Sequence, residues 1–352
     1  MLSEPQGGNA NSTIGSNKTA DELVLVHCTS QEVFELFYSW SHSEQWNPST
    51  KGHDIRDIYY KADPEGFFLG KVDGQVVSIV SAVRYGDDQA WIGYYIVSPD
   101  HRGKGYGLDT FRRALAHVNQ GGERPSIGLD GVMAQVDNYR KSGFVHVAWK
   151  NERKHGSAKD LVETIEKDLA EGILQRAEAL PGLVVAQLDD PTVDVEQLVA
   201  IEQRFTGLKR PEFVRDWVRF HAAHPGEHRF GAAILSADKK DETTGKPLVL
   251  GFGCVRPAVT SYRIGPLYAT SGEAARLLLV KLAVDVVQAE EQNPMGIPLK
   301  FDIDIPNTNK AAAEMFDRLG WVTTFPSLRM WKGKIPESDV NGVYGVLSLE
   351  VG

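Results

Sequence analysis

Trp91-Ile92-Gly93-Tyr94-Tyr95-Ile96-Val97-Ser98-Pro99-Asp100-His101-Arg102-Gly103-Lys104-Gly105-Tyr106-Gly107, continuing through residues 108–118, is the stretch on which the fold turns. Trp91 to Val97 is aromatic and β-branched and ends at Ser98-Pro99, so it reads as a strand stopped where proline removes a ladder donor. Arg102 to Gly107 supplies two basic side chains and three alternating glycines. Leu108, Phe111, Leu115 and Val118 then recur at helical spacing and predict a helix that begins in the glycine segment and buries that stripe. A strand leading through glycines into a helix N-terminus offers unpaired backbone N–H groups and a positive dipole end to an anion. Glycines let that backbone approach closely, and a diphosphate is the natural guest.

Two other phosphate loops do not fit. A dinucleotide-binding turn needs a third glycine where Leu108 stands, and an acidic residue about 20 residues on. A P-loop needs Gly-Lys-Ser/Thr, which is absent. The order strand, Val-x-Pro, Arg-x-x-Gly-x-Gly and amphipathic helix resembles the acetyl-CoA loop of the GCN5-related N-acetyltransferase (GNAT) superfamily, with Arg102, Gly105 and Gly107 filling its pattern. The resemblance implies acetyl-CoA as cosubstrate. Arg102, Gly103, Lys104, Gly105, Tyr106 and Gly107 would hold its diphosphate. Ile96 and Val97 would sit at the splayed strand end, with the Val97 N–H directed at the thioester carbonyl.

The whole chain of 352 residues is long enough for two domains, and 42% hydrophobic with 24% charged residues describes a globular protein. Net charge −9 argues against nonspecific binding to nucleic acid or anionic membrane and tilts toward cationic substrates. Cys28 and Cys254 are too few for a disulfide framework, and no apolar run approaches membrane-spanning length. The Asn/Gly/Ser-rich start lacks a secretory h-region and reads as a disordered tail over residues 1–20. These features predict a cytoplasmic protein.

The first half reads as a strand at Glu22 to His27, a helix capped by Ser30, a second helix at Asp54 to Lys61, and a hairpin turning at Asp73-Gly74. After the loop and its helix come a strand from Ser126 to Leu129 broken at Asp130-Gly131, a helix from Met133 to Lys141, and a last strand from Phe144 to Trp149. Asn151 to Gly156 reads as a charged turn. Lys159 to Leu180 reads as a connecting helix. The element order is that of the GNAT fold.

Tyr139-Arg140-Lys141-Ser142-Gly143-Phe144 is similar to the superfamily's Tyr-x-x-x-Gly-Phe ending. That resemblance implies Tyr139 as the acid that protonates the departing thiolate, a phenol being able to supply the proton. A packing ring is the plainer role. Asn, frequent in the superfamily seven residues before this tyrosine, is replaced by Val132. The general base is open. Strict alternation places Trp91, Gly93, Tyr95 and Val97 on one face and Ile92, Tyr94 and Ile96 on the other, with no carboxylate among them. Asp130 is one candidate base, and as readily a turn residue; Tyr95 acting through water is another.

The pattern restarts in the second half. Leu183 to Leu188, Val195 to Phe205, Pro211 to His221, a hairpin from Arg229 to Val255, Ser261 to Ala269, a helix after Thr270-x-x-Glu273, and Leu299 to Ile305 repeat the same order. Asn309 to Trp321 repeats the Tyr139 ending at an offset of 177 residues (316 − 139), with Phe316 in place of tyrosine. Thr270-Ser271-Gly272 replaces the glycine cradle. The half resembles the degenerate C-terminal module of tandem GNAT proteins. His221, His224 and His228 read as solvated helix-end histidines, and no metal is expected.

The expected fold is α/β (α+β): two tandem GNAT folds, each a mixed, mostly antiparallel central sheet flanked by helices. The expected units are a catalytic domain at 21–156, a linker helix at 157–182 and a degenerate domain at 183–352. The expected activity is acetyl transfer from acetyl-CoA to a primary amine of a small molecule or peptide, at one site in the first half. The chain would be a monomer built as an intramolecular pseudo-dimer. A noncatalytic acyl-CoA sensor is the alternative; transfer from aminoacyl-tRNA is disfavoured by the negative charge and the intact coenzyme A loop.

Overall fold

Residues 22–170, 182–222 and 224–352 are described in a computed structural model. The expected tail at 1–20, and the expected linker helix beyond residue 170, lie outside the described residues.

In the first half, β1 (Val24–His27) leads into α1 (Ser30–Glu32), a π-helical stretch (Val33–Phe37) and α2 (Tyr38–Ser43). The cap is Thr29, one residue earlier than expected. Its hydroxyl accepts from Glu32 N at 3.2 Å while Glu32 Oε2 accepts from Thr29 N at 2.8 Å, a capping box. A second π-helical stretch (Ile55–Tyr59) runs into α3 (Tyr60–Ala62). Strands β2 (Phe67–Val72), β3 (Gln75–Tyr85) and β4 (Gln89–Val97) follow, then α4 (Tyr106–Val118), β5 (Ser126–Val132), α5 (Val136–Lys141), β6 (His146–Ser157) and α6 (Ala158–Ala170).

The second half repeats the order with β7 (Leu183–Gln187), α7 (Val195–Thr206), α8 (Pro211–His221), β8 (Phe230–Lys240), β9 (Pro247–Pro257) and β10 (Tyr262–Ala269). It ends with α9 (Gly272–Gln292), β11 (Lys300–Pro306), α10 (Lys310–Arg318), β12 (Val322–Gly333) and β13 (Val343–Gly345). Helix α9 is capped by Ser271, whose side chain accepts from Ala274 N, and not by the Thr270 box.

The two central sheets are one. The described strands run β1-β2-β3-β4-β5-β12-β6-β11-β10-β9-β8-β7, with β13 beside β10. Among the described strands only β4–β5 and β10–β11 are parallel pairs. The halves exchange their last strands: β12 inserts between β5 and β6, and β6 pairs with β11. This overturns two expectations. The Asp130-Gly131 break does not exist, because β12 continues the ladder with Leu328 opposite Gly131 and Arg329 opposite Asp130. Asn151 to Gly156 is strand, not turn. Its charges look turn-like only in isolation; in the sheet Arg153 pairs with Asp304 through two bonds of 2.9 Å, and His155 Nδ1 meets Asp302 at 2.7 Å. Arg153 and Asp304 side chains are each 5% exposed. A charged stretch becomes interior strand when every charge finds its opposite.

His221 and His228 are buried, not solvated. His221 Nδ1 lies 2.9 Å from Trp217 O, and burial drives its pKa well below the ordinary value. His228 sits against Tyr262 and Glu290. No three metal-ligating side chains gather among the described residues. No helix among them is long and apolar enough to cross a membrane.

Candidate active site

Strand β4 carries a bulge that the period-two reading could not contain. Ile79 pairs with Ile96 but Ser81 with Gly93, so Tyr94 and Tyr95 together oppose Val80, and Tyr94 takes a left-handed φ of 46°. The extra residue flips the faces beyond it. Trp91, Tyr94 and Ile96 share the core beneath α2, while Ile92 and Tyr95 pack with Phe111 of α4. The bulge also separates β4 from β5, which pair only from Gln89 to Ile92 against Ser126 to Leu129. A cleft of about 660 Å³ opens past that point, lined by β4 residues including Tyr95, Ile96 and Val97 and by Tyr139 opposite.

The glycine loop forms the end of this cleft. Gly103 and Gly105 have φ of 77° and 91°, and a Cβ at either would meet nothing within 4 Å. Gly105 is the N-cap of α4 and has no side chain to satisfy the first-turn N–H groups, which therefore face outward. Gly107 serves a different purpose: a Cβ there would lie 2.5 Å from the Tyr95 hydroxyl, so its absence is what lets the Tyr95 ring reach α4. Leu108, expected in the buried stripe, is 48% exposed and lines the cleft; the buried face of α4 is Thr110, Phe111, Ala114, His117 and Val118. The Arg102 guanidinium turns back, bonding Val97 O at 2.9 Å and the Glu44 carboxylate. Lys104 is exposed.

Tyr139 is buried against Tyr95, with ring centroids 6.5 Å apart, and against Phe111. Gly131 makes room for it, since a Cβ there would meet the Tyr139 ring at 2.7 Å. Burial, with the Tyr95 hydroxyl nearby, pushes the Tyr139 pKa upward, and burial pushes Tyr95 up to about 12. Both phenols therefore hold their protons at neutral pH. Asp130 is differently placed from its expected role. Its side chain is 0% exposed and both oxygens are taken, Oδ1 by Arg329 Nε at 3.0 Å and Asn151 Nδ2 at 2.8 Å, Oδ2 by Arg329 at 2.6 Å. Burial raises its pKa against the pull of Arg329. Protonating it would strand the Arg329 charge in the interior, which costs about 3–5 kcal/mol. Asp130 is an internal ion-pair partner.

The second half has the same splay with different contents. Strands β10 and β11 pair only from Tyr262 to Ile264 against Phe301 to Ile303. Beyond that, β13 fills the gap, Leu267 opposite Gly345 and Tyr268 opposite Val343. Asn309 Nδ2 donates to Val343 O at 2.9 Å and Asn341 O at 3.0 Å, pinning the insert. Ser271 caps α9 with its own hydroxyl. Phe316 is fully buried.

Both halves match models of one family: residues 31–144 match the acetyltransferase (GNAT) family, and residues 198–345 match an acetyltransferase (GNAT) domain. The chain is a tandem GNAT protein. It is similar, at 29% identity over 324 residues, to holothin acyltransferase of Pseudoalteromonas sp. (strain SANK 73390), with 92% of each chain covered. Among solved structures, a protein of Pyrococcus horikoshii superposes with a TM-score of 0.65 at 20% identity, covering 94% of this chain and 96% of that one. The tandem GNAT protein of the clavulanic acid biosynthesis pathway superposes with a TM-score of 0.58 at 13% identity, covering 90% and 100%. The family match and this relative support an acyltransferase, of a family that uses acyl-CoA donors.

Several residues lining this GNAT cleft carried no signal in the sequence. Trp46 comes from the loop after α2, Arg153 from β6, Phe325 from β12, and Leu349 and Glu350 from the C-terminal segment. That segment lies directly on the bulge: Trp91 Nε1 donates to Leu349 O at 3.2 Å, and a Cβ on Gly93 would meet Glu350 O at 1.9 Å. Burial opposes the Glu350 charge, but Arg263 and the Ser348 hydroxyl outweigh it and hold the carboxyl down at about 2.

Proposed function

We infer that this acyltransferase moves an acetyl group from acetyl-CoA to a primary amine, at one site, in the β4–β5 cleft of the first half. The observation that carries this reading is the contrast between the two splays: one open beneath an uncapped helix N-terminus, the other filled by β13 beside a capped one. The open first-half loop fits a diphosphate because Gly103 and Gly105 expose backbone where any Cβ would stand. When bound, acetyl-CoA supplies an activated thioester. The loop N–H groups from Gly103 to Gly107, with Lys104, would hold the diphosphate; Arg102 braces the loop through Val97 O and Glu44. Ile96 and Val97 would orient the acyl end along β4. Tyr139, kept protonated by burial, would give its proton to the departing sulfur as the C–N bond replaces the C–S bond, while the nitrogen's surplus proton leaves to water and Tyr139 takes a proton back from solvent. Tyr95 would orient Tyr139. The amine-side wall comes from Phe325, Leu349 and Glu350, so residues 183–352 complete the pocket and the units at 21–156 and 183–352 act as an internal pseudo-dimer.

Calorimetric titration of the intact chain with acetyl-CoA is expected to give one site per chain. A stoichiometry of two would mean that β13 does not close the second slot. Tyr139→Phe is expected to lower kcat by on the order of 10²-fold or more while leaving acetyl-CoA affinity within about twofold, because the ring still packs on Phe111 and only the proton is lost. Unchanged turnover in a thiol-release assay would reduce Tyr139 to a packing ring.

A further inference from the structure

A second cavity, of about 90 Å³, lies between the two halves and shares no lining residue with the β4–β5 cleft. The first half gives it Ser49, Thr50 and His53 from the chain after α2, and the second half gives it Glu227, Arg229 and Arg256. The two arginines oppose each other. Phe230 pairs with Val255 in the β8–β9 ladder, so Arg229 and Arg256 are the next residues on either side. Like charges at such positions repel. Both side chains are nonetheless buried, 10% and 2% exposed. An aromatic ring holds each guanidinium: Arg229 Cζ lies 3.6 Å from the Phe220 ring centre and Arg256 Cζ 4.9 Å from that of Trp217.

The neighbouring acids leave donors over. Arg256 Nε donates to Asp54 Oδ2 and to Ser49 Oγ, each at 2.9 Å, and Nη2 to the Tyr59 hydroxyl at 3.3 Å, but Nη1 has no partner among the described residues. Arg229 Nη2 meets Glu227 Oε2 at 2.6 Å, while Nε and Nη1 have none. Thr50 Oγ1, on the same cavity, is unpartnered too. Buried donors on a cation are costly to leave unpaired. Burial opposes the Arg229 charge strongly enough that its pKa falls below the ordinary value despite Glu227. What such a site lacks is acceptors and negative charge. Water brings donors of its own, whereas an oxyanion brings acceptors alone and forms the stronger, charge-assisted bonds. The space equals about three waters at roughly 30 Å³ each, which suits a phosphate or sulfate and excludes a nucleotide.

We propose that this cavity binds a tetrahedral oxyanion, phosphate or sulfate, between Arg229 and Arg256 at the junction of the two halves. Glu227, 51% exposed, yields Arg229 to the anion, and Asp54 stays with Arg256. The site is independent of the acetyl-transfer reading. Because its walls come from both halves, occupancy stabilises the folded chain by mass action.

The test titrates the full chain with potassium phosphate and, separately, potassium sulfate at pH 7.5, with ionic strength held constant by potassium chloride, following calorimetry and thermal unfolding. Saturable binding is expected, with a midpoint temperature that rises with either anion and not with chloride. Arg229→Gln should weaken binding at least about tenfold, having lost charged donors. Glu227→Gln removes the competing carboxylate from an exposed position and should tighten binding roughly two- to fivefold, the weight of one part-exposed ion pair. A merely structural Arg229 would not respond in that direction. Gly105→Val should retain the site, which separates it from the glycine loop. No saturable response beyond chloride, unchanged binding in Arg229→Gln, unchanged or weaker binding in Glu227→Gln, or binding that disappears in Gly105→Val would each overturn the proposal.

Discussion

A chain ending after Ser157 is expected to be unable to fold: no dispersed amide spectrum, no cooperative thermal transition, and a soluble yield far below that of the full chain. Strand β12 is the physical reason. It supplies the ladder partner for β5 from Ser126 to Val132 and for β6 from His146 to His155, so its removal leaves two long adjacent strands facing an empty position inside the sheet. It also removes Arg329, leaving the Asp130 carboxylate buried and unpaired at a cost of about 3–5 kcal/mol, a large fraction of an ordinary domain's stability. Trp331, packed edge-on to Trp91 at 5.5 Å, and the Leu349 carbonyl that accepts from Trp91 Nε1 go with it. The two halves are therefore not expected to be separable by cutting between them. A truncated chain that is a stable monomer with the full protein's kinetics would contradict this outright.

Gly105→Val is expected to abolish measurable acetyl-CoA binding while leaving the protein folded. At φ 91° a β-branched residue is strained, by about 1–2 kcal/mol. No atom of the protein lies within 4 Å of the new Cβ, so there is no clash to break the core. The methyl groups would instead occupy the space where the α4 N-terminus meets its anion. Losing two hydrogen bonds to a charged group, at about 1.5–3 kcal/mol each, weakens affinity by about 10²-fold or more. Gly74→Val is the control, since Gly74 in the β2–β3 turn has φ 78° and equally open space but stands outside the cleft lining. Equal loss of binding in both variants would trace the effect to strain and not to the loop.

The glycine loop from Arg102 to Gly107 and the helix that begins in it were legible in the sequence because their geometry is local. A glycine at left-handed φ and a helix beginning within the next residues depend on neighbours within one turn of chain. The internal repeat was equally legible, since it is a statement about order alone. What the sequence could not show were the face assignments beyond Tyr94, where a single extra residue in β4 reverses the alternation, and the strand character of Asn151 to Gly156. The role of Asp130 was hidden for the same reason: its partner, Arg329, stands 199 residues away, and only the exchange of β6 and β12 brings the two side chains together. Local backbone geometry is written by adjacent residues. The walls of the cleft, from Trp46 to Phe325 and Glu350, are written by which strands become neighbours, and that choice is made by burial and charge pairing across the whole sheet.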